Sequence, residues 1–219
     1  MNALPAGREE RFERWVTRSF PAPLAYEIVW QAMRHWTAQR QADTPDELWG
    51  LEHRPVYTLG QAGQRSYLHQ TGTIPVVETD RGGQVTYHGP GQAIVYCLVD
   101  LRRRALGIRA LVHHLEEAVI STLEPYQIQA RRRRGAPGVY VGEAKVAALG
   151  LRVSQGCCYH GVALNVAMDL APFSGIDPCG LKGTPVTQTR DLGVTETLPN
   201  LRAALMQKIR QQLDGEESR

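Results

Sequence analysis

Apolar residues at Ala25, Ile28, Val29, Ala32, Met33 and Trp36 recur with the spacing of one helix face, after a stretch broken by Pro5, Pro21 and Pro23. The pattern predicts an amphipathic helix preceded by an N-terminal arm over residues 1–23. Past Thr44, Pro45, Asp46 and Glu47 the period changes. Two short apolar stretches, 48–52 and 56–59, flank Pro55 and read as strands around a turn. Residues 74–78 form another strand candidate. Arg81, Gly82 and Gly83 then turn the chain into Gln84 to His88, and a second glycine-rich turn leads to the apolar run 93–99. Strands joined by such tight turns predict antiparallel pairing.

Helical spacing returns with Leu111, Val112, Leu115, Ala118, Val119 and Leu123 and ends before Pro125. The stretches 139–142, 144–154 and 161–166 are rich in Val, Leu and Ala and predict more sheet. Between 169 and 193, Pro172, Gly175, Pro178, Gly180, Gly183 and Pro185 break any period, and a long irregular segment of this kind often carries function. Leu201, Leu205, Ile209 and Leu213 mark a last helix near 199–213. The expectation is an α+β fold: one domain over 24–213, a mostly antiparallel or mixed sheet flanked by helices, and a tail over 214–219.

Composition narrows the function classes. The chain has 219 residues, 42% of them hydrophobic and 21% charged, enough for one cored domain. With 25 Lys and Arg against 22 Asp and Glu, it lacks the basic excess of a dedicated nucleic-acid binder. Neither a secretory h-region nor a membrane-length apolar run is read, and four cysteines make no disulfide framework, so a cytoplasmic location is expected. The basic runs 102–104 and 131–134 are either solvated surface or a field that steers an acidic protein.

Cys97 lies in an apolar run and reads as a buried small hydrophobe, whereas Pro178 and Gly180 bracket Cys179 in a loop. There it is either a presented nucleophile or an idle thiol, and local sequence leaves both readings open. Lys145 sits in a strand of small and apolar residues. Strict alternation puts it on one face with Ala147, Leu149 and Leu151. If that face is inward, desolvation lowers its pKa and suits it to exchange protons with a thiol; otherwise it snorkels to water. His88 and His160 each precede a glycine and can place a ring at a strand end. Cys157, Cys158 and His160 lack structural-zinc spacing, so no metal is expected. The glycine-dense stretch 81–92 matches neither a P-loop nor a dinucleotide fingerprint.

Four motifs, RGGQVTYHGPGQ, GVYVGEAKVAALGLRV, YHGVALNV and IDPCG, stand in an order and spacing that resemble the lipoyl (octanoyl) transferases, and the likeness extends from about Tyr26 to Gly180. The resemblance implies a fold like the biotin and lipoate protein ligases, acting in the cytoplasm as a monomer with no cofactor and no nucleotide. It implies Cys179 as acyl acceptor and Lys145 as its proton partner. It further implies acyl-substrate contacts at Arg81, Gly82, Gly83, Gln84, Val85, Thr86, Tyr87 and His88, at Ala148, Leu149 and Gly150, and at Gly161, Val162 and Ala163.

The implied donor is octanoyl-acyl-carrier protein. The implied acceptors are lipoyl domains of 2-oxoacid dehydrogenase complexes and the glycine cleavage H protein, with neither nucleic acid nor membrane as partner. Six or seven buried methylenes at about 0.8 kcal/mol each give recognition of about 5 kcal/mol, and the small residues Ala148, Gly150 and Gly161 are expected to leave room for the tail. Two alternatives stand beside this reading: an ATP-dependent lipoate or biotin ligase, and a non-catalytic module that binds an acyl carrier.

Overall fold

A computed structural model describes residues 4–177 and 184–215. In chain order the elements are β1 (Arg8–Arg11), β2 (Trp15–Ser19), α1 (Tyr26–Ala38), β3 (Asp46–Leu51), β4 (Val56–Leu59), β5 (Val76–Glu78), β6 (Val85–His88) and β7 (Gln92–Asp100). They continue with α2 (Ile108–Leu123), β8 (Ala130–Arg132), β9 (Val139–Val141), β10 (Ala144–Ser154), β11 (Cys157–Asn165) and α3 (Leu198–Asp214). An eight-stranded sheet runs β1-β2-β3-β7-β11-β10-β9-β8, antiparallel except where β2 lies parallel to β3. A small sheet, β5-β4-β6, pairs β4 with β5 in parallel. The expected mixed α+β architecture is the one observed.

Alternation along the central strands divides the core. Val95, Cys97, Val162 and Leu164 face α2 and α3, which bring Leu111, Leu115, Leu205 and Ile209 to an aliphatic layer. Each such fully buried side chain is worth about 1.5–3 kcal/mol. On the other face α1 packs Val29 and Met33 over Trp49, Leu51, Ile94 and Tyr96. Helix α3 starts cleanly, because the Thr197 side chain accepts from the Asn200 amide and a proline occupies its first turn.

Residues 8–19, placed by the sequence pattern in an arm, are instead two strands of the large sheet. Trp15 and Val16 are buried, and the Trp15 indole donates to Asp214 at 2.9 Å. All four residues of β1 are exposed, so no alternation marked it. Two further expectations change. Asp46 is fully buried and takes charge-assisted bonds from Arg40 and Arg103 at 2.7 Å and from Arg104 at 2.6 Å. Arg131 and Arg133 both engage Glu143, while Arg132 engages Glu117 and Glu116. Most of both basic runs is therefore committed to internal carboxylates rather than displayed as a free positive field.

Candidate active site

The position of Lys145 departs from simple alternation. Strand β10 carries a bulge between Lys145 and Ala147, so Val146 and Ala147 both enter the aliphatic layer under α2, with Leu149 and Leu151 packed at its edge. The extra residue turns Lys145 to the opposite side, where it joins Ala148 and Gly150 in lining a cleft. The expected grouping of Lys145 with Ala147, Leu149 and Leu151 on one face is thus corrected. Lys145 is buried, its Nζ 3.2 Å from the Pro137 carbonyl and 5.2 Å from the centre of the Tyr140 ring.

The cleft encloses about 750 Å³, its open mouth included. Its floor is the face of β10, β11 and β7 turned away from α2 and α3, where Ala148 pairs with Ala163 and Gly150 with Gly161. Of the residues predicted as substrate contacts, Arg81, Gly83, Gln84, Val85, Thr86, His88, Ala148, Leu149, Gly150, Gly161, Val162 and Ala163 all line it. Gly82 and Tyr87 do not. The Gly82 amide is bound to the Leu151 carbonyl at 2.8 Å, and Tyr87 packs against Tyr57 and Phe173.

The glycines serve assembly more than vacancy. A Cβ on Gly150 would lie 3.0 Å from the Arg81 side chain and 3.3 Å from the Gly82 carbonyl; one on Gly161 would lie 2.0 Å from the Val95 carbonyl. These positions let the Arg81 loop and β7 approach the floor, so Ala148 and Ala163 carry more of the open space than the sequence argument supposed. Arg81 is itself tied down: its guanidinium donates to the Thr58 carbonyl and hydroxyl and to the Gln84 carbonyl, all within 2.8 Å.

One wall is a set of aromatic and histidine rings that no periodicity announced. The His53 ring lies 5.1 Å from Tyr26 and 5.8 Å from Tyr96. Its Nδ1 faces the Leu24 carbonyl at 3.0 Å, so that nitrogen carries the proton and Nε2 accepts from the Tyr96 hydroxyl at 2.6 Å. His88 donates to Gln92 at 2.8 Å, Gln92 to Asn165 at 2.9 Å, and Asn165 to the Thr187 carbonyl at 2.9 Å; the Thr187 amide then bonds the Lys145 carbonyl at 3.0 Å. This chain runs from a cleft histidine to the backbone of the buried lysine. Burial pushes His53 down to about 4 and His88 to about 3.

His160, held at a φ of 65°, donates to Asp80 at 3.0 Å, and Asp80 also accepts from Trp30 at 2.7 Å and from Tyr159. Burial works against the charge on Asp80, yet these three donors outweigh it and hold the carboxyl well below its ordinary range. The clue in the sequence was only that Gln92 and Asn165 interrupt otherwise apolar strands.

Cys179 lies outside the described residues. Before it, Asp177 is tied by its amide to the Tyr67 carbonyl at 3.0 Å and by its carboxylate to His69 at 2.8 Å. After it, Val186 bridges to Lys145 in parallel, and the Lys145 amide bonds the Pro185 carbonyl at 2.8 Å.

Residues 25–210 match the family model of the lipoyl protein ligase A/B catalytic domain. Among relatives, the octanoyltransferase of Nitrosospira multiformis is 55% identical over 194 residues, which cover 89% of this chain and 90% of that protein. The octanoyltransferase of Thiobacillus denitrificans is 60% identical over 182 residues, 83% and 84% of the two chains. The chain belongs to the octanoyltransferase family. It is an acyltransferase by that membership.

Octanoyltransferases share their architecture with ligases. A bipartite lipoate protein ligase from Thermoplasma acidophilum superposes with a TM-score of 0.71 at 17% identity, covering 92% of this chain and 83% of its own. A biotin protein ligase from Aquifex aeolicus superposes with a TM-score of 0.58 at 13% identity, covering 93% and 71%. The ligase-like fold implied by the motifs is therefore the fold found. Among the described residues no helix is long and apolar enough to cross a membrane.

Proposed function

We propose that this octanoyltransferase works by covalent transfer through Cys179, with Lys145 moving the protons, from octanoyl-acyl-carrier protein to a lysine of a lipoyl-accepting domain. The observation that carries the reading is the bulge that delivers the buried Lys145 amine nitrogen into the cleft beside small residues. Chain length is compatible with it. Val186, the position bridged to Lys145, stands seven positions after Cys179, and at about 3.3–3.6 Å per residue that spacing reaches at most about 25 Å.

In the first half-reaction the Cys179 sulfur attacks the donor's thioester carbonyl while Lys145 accepts the thiol proton. The tetrahedral intermediate collapses, the carbon–sulfur bond to the carrier breaks, and the departing thiolate takes that proton back. One thioester replaces another at little thermodynamic cost. In the second, the acceptor lysine's amine attacks the acyl-enzyme and Lys145 removes its proton, so an amide forms and the Cys179 thiol is restored.

The tail lies along the floor at Ala148 and Ala163 in this reading, between the Arg81 loop and the ring wall. A lipoyl domain as acceptor accords with the lipoyl domain that accompanies the Thermoplasma ligase. Lipoyl domains of 2-oxoacid dehydrogenases and the H protein are the acceptors we assign, in the cytoplasm.

Intact mass after mixing with octanoyl-carrier protein tests the reading. Wild type gains one octanoyl adduct cleaved by hydroxylamine. Cys179→Ser gains no thioester adduct, and Lys145→Ala is labelled about 10²–10⁴-fold more slowly. An adduct that persists without the cysteine, or transfer that requires ATP and free octanoate, overturns it.

A further inference from the structure

Behind the sheet, on the face away from the acyl cleft, a second concavity lies between α3 and the β1–β2 hairpin. It encloses about 980 Å³, mouth included, and its walls carry Arg8, Arg202 and Arg210, with Thr17, Ser19 and Asn200 between them. Arg202 is the unusual member. It is only 7% exposed, its stem lying over the position where Gly50 lacks a side chain, with Cδ 3.2 Å from where a Cβ would stand. Among the described residues no hydrogen-bond acceptor or ion-pair partner meets its guanidinium.

Glu52 acts on Arg202 electrostatically without a hydrogen bond, while one of its carboxylate oxygens accepts from the Gly91 amide at 2.8 Å. The guanidinium donors of Arg202 stand open to the groove, where an anion can meet them. The surroundings supply the rest of a receptor. Asn200, in the first turn of the 17-residue helix α3, lines the same wall. The hydroxyls of Thr17 and Ser19 stand in the same lining and can donate to an anion there.

Glu10, the one carboxylate among the described lining residues, pairs with Arg8 at 2.9 Å and is outnumbered by the three arginines. Arg210 stacks over Phe12 at the rim, 3.5 Å from its ring centre. Because Arg202 is well buried, a compact group reaches it more readily than the side of a folded partner.

We propose that this cleft binds a small phosphate-bearing anion, with Arg202 as its buried anchor and Arg8 and Arg210 as its rim. The site is separate from the acyl cleft, since the sheet lies between them, and the proposal does not depend on the Cys179 chemistry.

Titration calorimetry with inorganic phosphate and with glycerol 3-phosphate tests it, in buffers matched in ionic strength with chloride. Wild type shows saturable one-site binding. Arg202→Met loses affinity roughly tenfold or more, the usual scale for a lost charged hydrogen bond, and keeps octanoyl transfer. The double variant Arg8→Gln/Arg210→Gln loses affinity several-fold and decides the matter if the methionine variant does not fold. Preference for the monoester over inorganic phosphate identifies a phosphorylated metabolite as the ligand; equal binding identifies the free ion. No saturable heat on wild type, unchanged affinity in the variants, or binding of a glutamate-rich peptide in place of phosphate overturns the proposal.

Discussion

Strand β11 sends Cys158, Val162 and Leu164 into the layer beneath α2 and α3, and turns Tyr159, Ala163 and Asn165 toward α1 and the cleft. The first side is held by contact that has no direction: branched and aliphatic side chains exchange neighbours at modest cost so long as volume is kept. The second is held by directed bonds, in which His53 meets Tyr96, His88 meets Gln92, and Asp80 meets His160, Tyr159 and Trp30. Its polar groups are satisfied by one another, so they enclose a slot without collapsing into it. One sheet therefore offers a side that supplies stability and a side that supplies shape.

The contrast is broken most severely on the aliphatic side. Leu115→Ala removes a fully buried side chain and lowers unfolding free energy by about 2–5 kcal/mol, read by chemical denaturation, while the folded fraction keeps its rate of acyl labelling. A proportionate loss of rate in the folded fraction counts against independent faces. On the slotted side, Ala148→Leu fills open space. Octanoyl labelling falls relative to butanoyl labelling by about 1–3 kcal/mol for each methylene displaced, measured as a ratio of kcat/KM values, with little change in stability.

Acidity probes the ring wall locally, one histidine at a time. The folded pKa values of His53 and His88, about 4 and about 3, lie below the ordinary 6.5. The unfolded chain therefore binds protons that the fold refuses as pH drops below about 6.5. Stability is fully present above that pH and declines toward 4 by about 1.4 kcal/mol per pH unit per histidine. Thermal melts between pH 7 and 5 show a steep fall in Tm for wild type and a shallower one for His53→Gln; equal slopes reject the account.

Much of the aliphatic side was legible in advance, because Leu111, Leu115, Leu205 and Ile209 repeat with the helix and Val95 and Cys97 sit within an apolar run. The glycine-rich loop and the lysine strand were equally visible as motifs. Three things were not. Strand β1 is charged at every position and gains its place from a partner strand, not from a buried face. The bulge in β10 is one residue of slack that alternation cannot register. His53, Asp80 and Tyr96 come from separate segments and acquire meaning only when the fold brings them together.

That single residue of slack has an evolutionary corollary. Shortening the strand by one position between Lys145 and Ala147 would leave every motif recognisable and the oily layer nearly as well filled. The amine, however, would be delivered to the wrong side of the wall. If Lys145 is the proton carrier proposed above, homologues lacking the extra residue belong among binders that have given up transfer, because a reagent can be lost through its address while its identity is kept.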